Sequence, residues 1–193
     1  MQKDNSVIVF DMNESKKTLK SSKLLWLDLE MTGLHPDKDR ILEIGAIVTD
    51  FNFNEIAIFE SAIFQSSAVL KNMNEWSLHA HTKSGLLEKI KDAPKEKDVE
   101  NEFLQFVSAN FKNEPVVIAG NSIHQDRRFI DKWWPKVSDV LHYRMVDVSS
   151  FKIIMQTKYN RVFNKKENHR ALEDIRESIA ELKFYLYLEG RKR

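Results

Sequence analysis

Three apolar runs of strand length follow one another early in the chain: Leu24 to Glu30, Ile41 to Val48 and Glu55 to Phe64. The breaks between them are shorter than the crossover of a dozen or more residues that parallel neighbours need, so the three are expected to pair as an antiparallel meander. Thr32-Gly33-Leu34-His35-Pro36 supplies the first turn. The apolar period then changes. Helical spacing is loose from Ala68 to Ile90 and clear from Lys97 to Phe111, where Val99, Phe103, Phe106 and Val107 share a face. Pro115 to Ala119 reads as a buried strand, Ser122 or Ile123 to Trp134 as a helix closed by Pro135, and the stretch around Tyr143 to Val148 as a short strand. A helix from Ser149 to about Thr157 follows, and Leu172, Ile175, Ile179, Leu182 and Leu186 mark a C-terminal amphipathic helix. A meander followed by alternating helices and strands predicts an α/β domain, with a mixed sheet of about five strands flanked by helices.

A chain of 193 residues has room for one domain with a sizeable core. Residues 1–22 are polar and interrupted by charge, and are expected to be a flexible N-terminal extension ahead of a domain over 23–193. Apolar runs fall well short of the roughly 18 residues that span a bilayer, and residues 1–22 have no apolar core of a secretion signal. A cytoplasmic location is therefore expected, with no membrane partner. Cysteine is absent, so any metal must be held by oxygen or imidazole. The net charge of +1 balances 30 basic against 29 acidic residues, which argues against a grip on long duplex nucleic acid but not against a short strand.

Asp28 and Glu30 are two residues apart on an expected strand, so both project from one face. Burying two ionised carboxylates side by side costs several kcal/mol unless a cation sits between them. Oxygen-only ligation suits Mg²⁺ or Mn²⁺ rather than zinc. By themselves the two acids equally suit a strand that ends in solvent. Asp126, just past a buried strand, and Asp174, in the first turns of the last helix, each also suit an ordinary acid near a helix start. Only in combination do the four point to a metal site. His169, just ahead of the last helix, would have a use beside such a site, because an imidazole can take the proton from a water that attacks a phosphodiester.

Asp28-Leu29-Glu30-Met31-Thr32-Gly33-Leu34, Gly120 to Phe129 with Asp126, and His169-Arg170-Ala171-Leu172-Glu173-Asp174 resemble, in order, the three motifs of the DEDDh exonuclease superfamily. Ile41-Leu42-Glu43-Ile44, Asn121-Ser122-Ile123, Gln125-Asp126-Arg127-Arg128-Phe129 and Tyr143-Arg144 with Asp147-Val148-Ser149 narrow the resemblance to the oligoribonuclease family, over about Leu24 to Leu188. His124 and Ser77-Leu78-His79-Ala80 are small departures. The resemblance implies a ribonuclease-H-like sheet and 3′-to-5′ hydrolysis of short RNA, dinucleotides included, to nucleoside 5′-monophosphates. It also implies two Mg²⁺ or Mn²⁺ ions, with Asp28, Glu30 and Asp174 on one, Asp28 bridging to a second that Asp126 supports, and His169 as general base. Leu34 as a wedge between bases, Trp76 as a stacking surface, His81 at the terminal sugar, and Ser122, Arg144 and Ser149 as a cap on the 5′ phosphate come from the same resemblance. So does a homodimer in which Tyr143 reaches into the neighbouring subunit. On residue type alone Leu34, Trp76 and His81 suit a core equally well, as do Trp133, Trp134, Phe184, Tyr185 and Tyr187 beside an interface. Two alternatives share the fold: an exonuclease for longer polymers, and a binding domain without activity.

Overall fold

A computed structural model describes residues 20–164 and 170–189, so nearly all of the expected extension, and His169, lie outside the described residues. The meander forms as expected: β1 (Lys23–Met31), β2 (Ile41–Asp50) and β3 (Glu55–Ala62) pair antiparallel in sequence order. Two parallel strands complete the sheet, β4 (Val116–Gly120) beside β1 and β5 (Leu141–Asp147) beside β4, giving the order β3-β2-β1-β4-β5.

β1 is central and covered on both faces, which is why its apolar run is nearly continuous. Leu25, Leu27 and Leu29 face one layer, packing with Val99, Phe103, Val107 and Phe111 of α4 (Glu96–Phe111) and with Phe129 and Ile130 of α5 (His124–Trp133). Leu24 and Trp26 face the other layer, with Ile175, Ile179 and Leu182 of the C-terminal helix (Ala171–Glu189). Each such fully buried side chain contributes roughly 1.5–3 kcal/mol relative to an exposed one. Trp26 also satisfies its indole, donating to Thr49 Oγ1 at 2.9 Å.

Helix boundaries depart from expectation in three places. The loose pattern from Ala68 to Ile90 is α1 (Ser67–Leu70), α2 (Glu75–Lys83), α3 (Leu86–Lys89) and a 3₁₀ turn. Asn74 starts α2 by accepting from Ser77 N at 2.8 Å, and Gly85, at φ +77°, stops the chain from running on into α3. Pro135 does not simply end a helix but opens another, α6 (Pro135–Ser138), since a helix's first turn does not need the missing N–H. Asp147 ends β5 and caps α7 (Val148–Tyr159), accepting from Ser149 N at 2.9 Å. In the C-terminal helix, α8, Leu186 is exposed, and Tyr185 is the aromatic that turns inward. Trp134 and Tyr185 are fully buried and so belong to the core rather than to an interface. Among the described residues no helix is long and apolar enough to cross a membrane.

Candidate active site

Because side chains alternate along β1, Asp28 and Glu30 share the face of Leu24 and Trp26 and so point toward α8. Opposite Asp28 in the β1–β2 register stands Gly45. A Cβ built there would come within 2.9 Å of Ala171 Cβ and 3.1 Å of the Ala171 backbone, so the first turn of α8 seats directly on the strand. That seating delivers Asp174. One carboxylate oxygen from each of Asp28, Glu30 and Asp174 lies within 4.8 Å of the others, and all three residues are half-buried. A cation with bonds of about 2.1 Å bridges oxygens up to about 4.2 Å apart, so small side-chain rotations bring this set onto Mg²⁺ or Mn²⁺. The electrostatics fit as well. Burial, then the charges of Asp174, Glu43 and Asp126, push the Glu30 carboxyl up to about 8, with Arg170 opposing them. A bound cation would relieve that repulsion.

Asp126 is nearby but not in that set. It is 5% exposed and accepts from Leu29 N at 3.0 Å. The β1–β4 pairing covers only Leu25 and Trp26, so the strands part beyond Ala119, and Asp126 satisfies a β1 amide left without a strand partner. Burial pushes its carboxyl up to about 7 despite that hydrogen bond. His81 is buried: its Nε2 donates to Met31 O at 2.8 Å, and its Nδ1 lies 3.7 Å from Glu30 Oε2.

Leu34 and Trp76, 61% and 70% exposed, line one cleft of about 430 Å³ together with Asp28, Glu30, His81 and Asp174. Their exposure answers the alternative that they are core residues. A second hollow of about 710 Å³ shares Leu34 and Asn74 and runs along the β1–β2 loop. Ser122 and Ser149 form a separate group where β4 and β5 end, their hydroxyls 3.1 Å apart. Since β1, β4 and β5 run parallel, this is the end of the sheet that also carries Glu30. Tyr143, 72% exposed, stands on the edge strand β5, with the Arg144 guanidinium 5.3 Å from its ring centre. Tyr143 and Arg144 do not line the cleft.

Glu43 entered the sequence reading only within a motif, with no place at the site. It lies opposite Glu30 across β1–β2, almost fully buried, and accepts from Lys89 Nζ at 2.7 Å. An acid inside the otherwise apolar run Ile41-Leu42-Glu43-Ile44 was the available signal. Asp147 likewise stood in a motif without a role, although its place at the end of a strand and the start of a helix marked it as a cap.

A family model described as an exonuclease, RNase_T, matches residues 25–182. Oligoribonuclease of Francisella tularensis subsp. tularensis is 46% identical over 168 residues, covering 86% of this chain and 94% of that protein. Oligoribonuclease of Chromobacterium violaceum is 42% identical over 172 residues. Among solved structures, the zinc-bound complex of E. coli exonuclease I with single-stranded DNA is similar at a TM-score of 0.68 and 17% identity. A moderately thermophilic exonuclease I from Methylocaldum szegediense gives 0.66 at 17%. These structures bear on the fold alone; the similarity covers 89% and 90% of this chain and 42% of each of theirs. The sheet order, the acidic cluster at the end of β1 and these matches agree, and the chain belongs to the oligoribonuclease family of exonucleases.

Proposed function

We propose that the protein is a 3′-to-5′ exoribonuclease that hydrolyses short oligoribonucleotides, dinucleotides above all, to nucleoside 5′-monophosphates, acting in the cytoplasm as a homodimer. The observation that carries this reading is the convergence of Asp28, Glu30 and Asp174 in a cleft that also presents Leu34 and Trp76. A cleft of about 430 Å³ has room for a small ligand.

Two Mg²⁺ or Mn²⁺ ions, when bound, supply positive charge at the attacking and leaving oxygens of an in-line displacement. Asp28, Glu30 and Asp174 would hold one ion, and Asp28 with Asp126 would hold the second. His169 takes the proton of the attacking water. The new P–O bond forms on the terminal phosphate as the bond to the 3′ oxygen of the preceding nucleotide breaks, leaving a 3′ hydroxyl and a nucleoside 5′-monophosphate. Leu34 wedges between the two bases and Trp76 stacks on one of them. Ser122, Arg144 and Ser149 close over the 5′ phosphate with Tyr143 from the second subunit, so that a longer strand meets a wall.

Product analysis on single-stranded RNAs from a dinucleotide upward, with Mg²⁺, with Mn²⁺ and with EDTA, tests the reading. Fastest turnover of the dinucleotide, 5′-monophosphate products and silence in EDTA are expected. Preference for long strands, or turnover in EDTA, overturns it.

A further inference from the structure

We propose that His124 is a specificity-determining residue for the 5′ end of the substrate: it offsets the Asp147 carboxylate, so that a phosphate can settle on Ser122 and Ser149. This rests on the short-substrate reading above and adds to it a residue that the family resemblance counts only as a departure.

Ser122 sits at φ +51°, a left-handed conformation that a serine adopts only when its surroundings hold it there. What holds it is Asp147. Asp147 Oδ1 accepts from Ser122 N at 3.0 Å and from Ser149 N at 2.9 Å, while Ser122 N also donates to Ser149 Oγ at 3.0 Å. Ser149 Oγ donates in turn to Asn121 Oδ1 at 3.2 Å. The two hydroxyls are thus fixed side by side, 3.1 Å apart, and each has only to turn its proton away from its present partner to meet an anionic oxygen. The carboxylate that fixes them would repel that anion.

His124 answers the conflict. Its Nδ1 lies 3.4 Å from Asp147 Oδ2, the oxygen that the serine amides leave over, where an imidazole N–H donates to the carboxylate. The ring is 57% exposed against 22% for the Asp147 side chain, so it stands on the solvent side, where a substrate arrives. Asp126 is another acid facing Asp147 here, and its own carboxyl is raised partly by that charge. His124 is therefore the group that makes an otherwise acidic corner acceptable to phosphate.

KM and kcat for a 5′-phosphorylated and a 5′-hydroxyl dinucleotide should be compared in the wild type, His124→Leu, His124→Lys and Arg144→Met. His124→Leu, which leaves no donor, should raise KM for the phosphorylated substrate about five- to tenfold relative to the hydroxyl one, one charge-assisted hydrogen bond's worth, with little change in kcat. His124→Lys, which restores a donor to Asp147, should keep the wild-type preference. Equal effects of His124→Leu on both substrates, or none, overturn the proposal. If Arg144→Met erases the preference and His124→Leu does not, only the role of His124 falls. If the wild type ignores the 5′ phosphate, the cap itself is wrong and this proposal falls with it. If it does not cleave dinucleotides, the functional reading fails.

Discussion

Glu30 shows how much a single side chain depends on the cation. Its carboxyl, ordinarily near 4.5, is pushed up to about 8 in the folded chain, so between those values the unfolded chain has lost a proton that the folded one keeps. The contribution of Glu30 is therefore fully present below about pH 4.5 and drains away as pH rises to about 8, on the order of 5 kcal/mol over that window. Asp126, raised to about 7, adds a decline of the same sign. Calorimetric melting of EDTA-treated protein should show Tm falling from pH 5 to 8, a shallower fall in Glu30→Gln, and recovery on adding Mn²⁺ at pH 8. A flat wild-type profile in EDTA contradicts the electrostatic account. Asp28→Ala should lower activity by more than about 100-fold, the upper end of what losing a metal's outer-shell partner costs. Leu34 and Trp76 make a different prediction, because they are exposed and support no core. Trp76→Ala should leave Tm nearly unchanged and raise KM about ten- to a hundredfold, the value of one stacked base. A Tm drop with unchanged KM would return Trp76 to a structural role.

At the scale of elements, the site depends on how closely α8 lies on the sheet. Gly45→Val would put a branched side chain where a single Cβ already meets the Ala171 backbone at 3.1 Å. Overpacking of this kind costs about 1–3 kcal/mol, and it would lift the turn that carries Asp174. Activity at 25 °C and saturating Mn²⁺ should fall while the far-ultraviolet circular dichroism stays native, and wild-type turnover by the folded variant would refute the seating argument. Farther along α8, buried Glu181 accepts from Tyr185 Oη at 2.9 Å and from Asn121 Nδ2 at 3.2 Å, tying the helix to the segment that orients Ser149. Tyr185→Phe should cost about 1–3 kcal/mol by removing a donor from a buried carboxylate, measurable by urea unfolding. The strands were legible because their apolar runs are long and bounded. The helices between Ser67 and Asp92 were less so, since each is short and their ends are set by Asn74 and Gly85, single residues whose caps compete with a continuous weak periodicity.

For the whole molecule, the proposed homodimer carries the sharpest test. Tyr143 is exposed on an edge strand, and Ile153 and Ile154 are exposed on α7, the helix that follows that strand. If Tyr143 completes the neighbour's site, Tyr143→Ala and Asp28→Ala are each inactive alone, yet mixing them should restore activity, because one site in each mixed dimer keeps both side chains. Sedimentation should give about twice 22.7 kDa. A monomer, or a mixture as inactive as its parts, rules out the shared site.

The sequence alone determined that Asp28 and Glu30 share a face, since strand periodicity is local, and that metal ligands here must be oxygen or imidazole. Its motifs, spread over most of the chain, were enough to place the family. Only the tertiary structure decided which groups meet. Asp174 joins the pair because Gly45 admits α8, Asp126 is turned to a backbone amide where β1 and β4 part, and His81 is drawn inside by the Met31 carbonyl. Contacts between residues far apart in the chain are fixed by sheet order and packing distance, and neither leaves a local mark in the sequence.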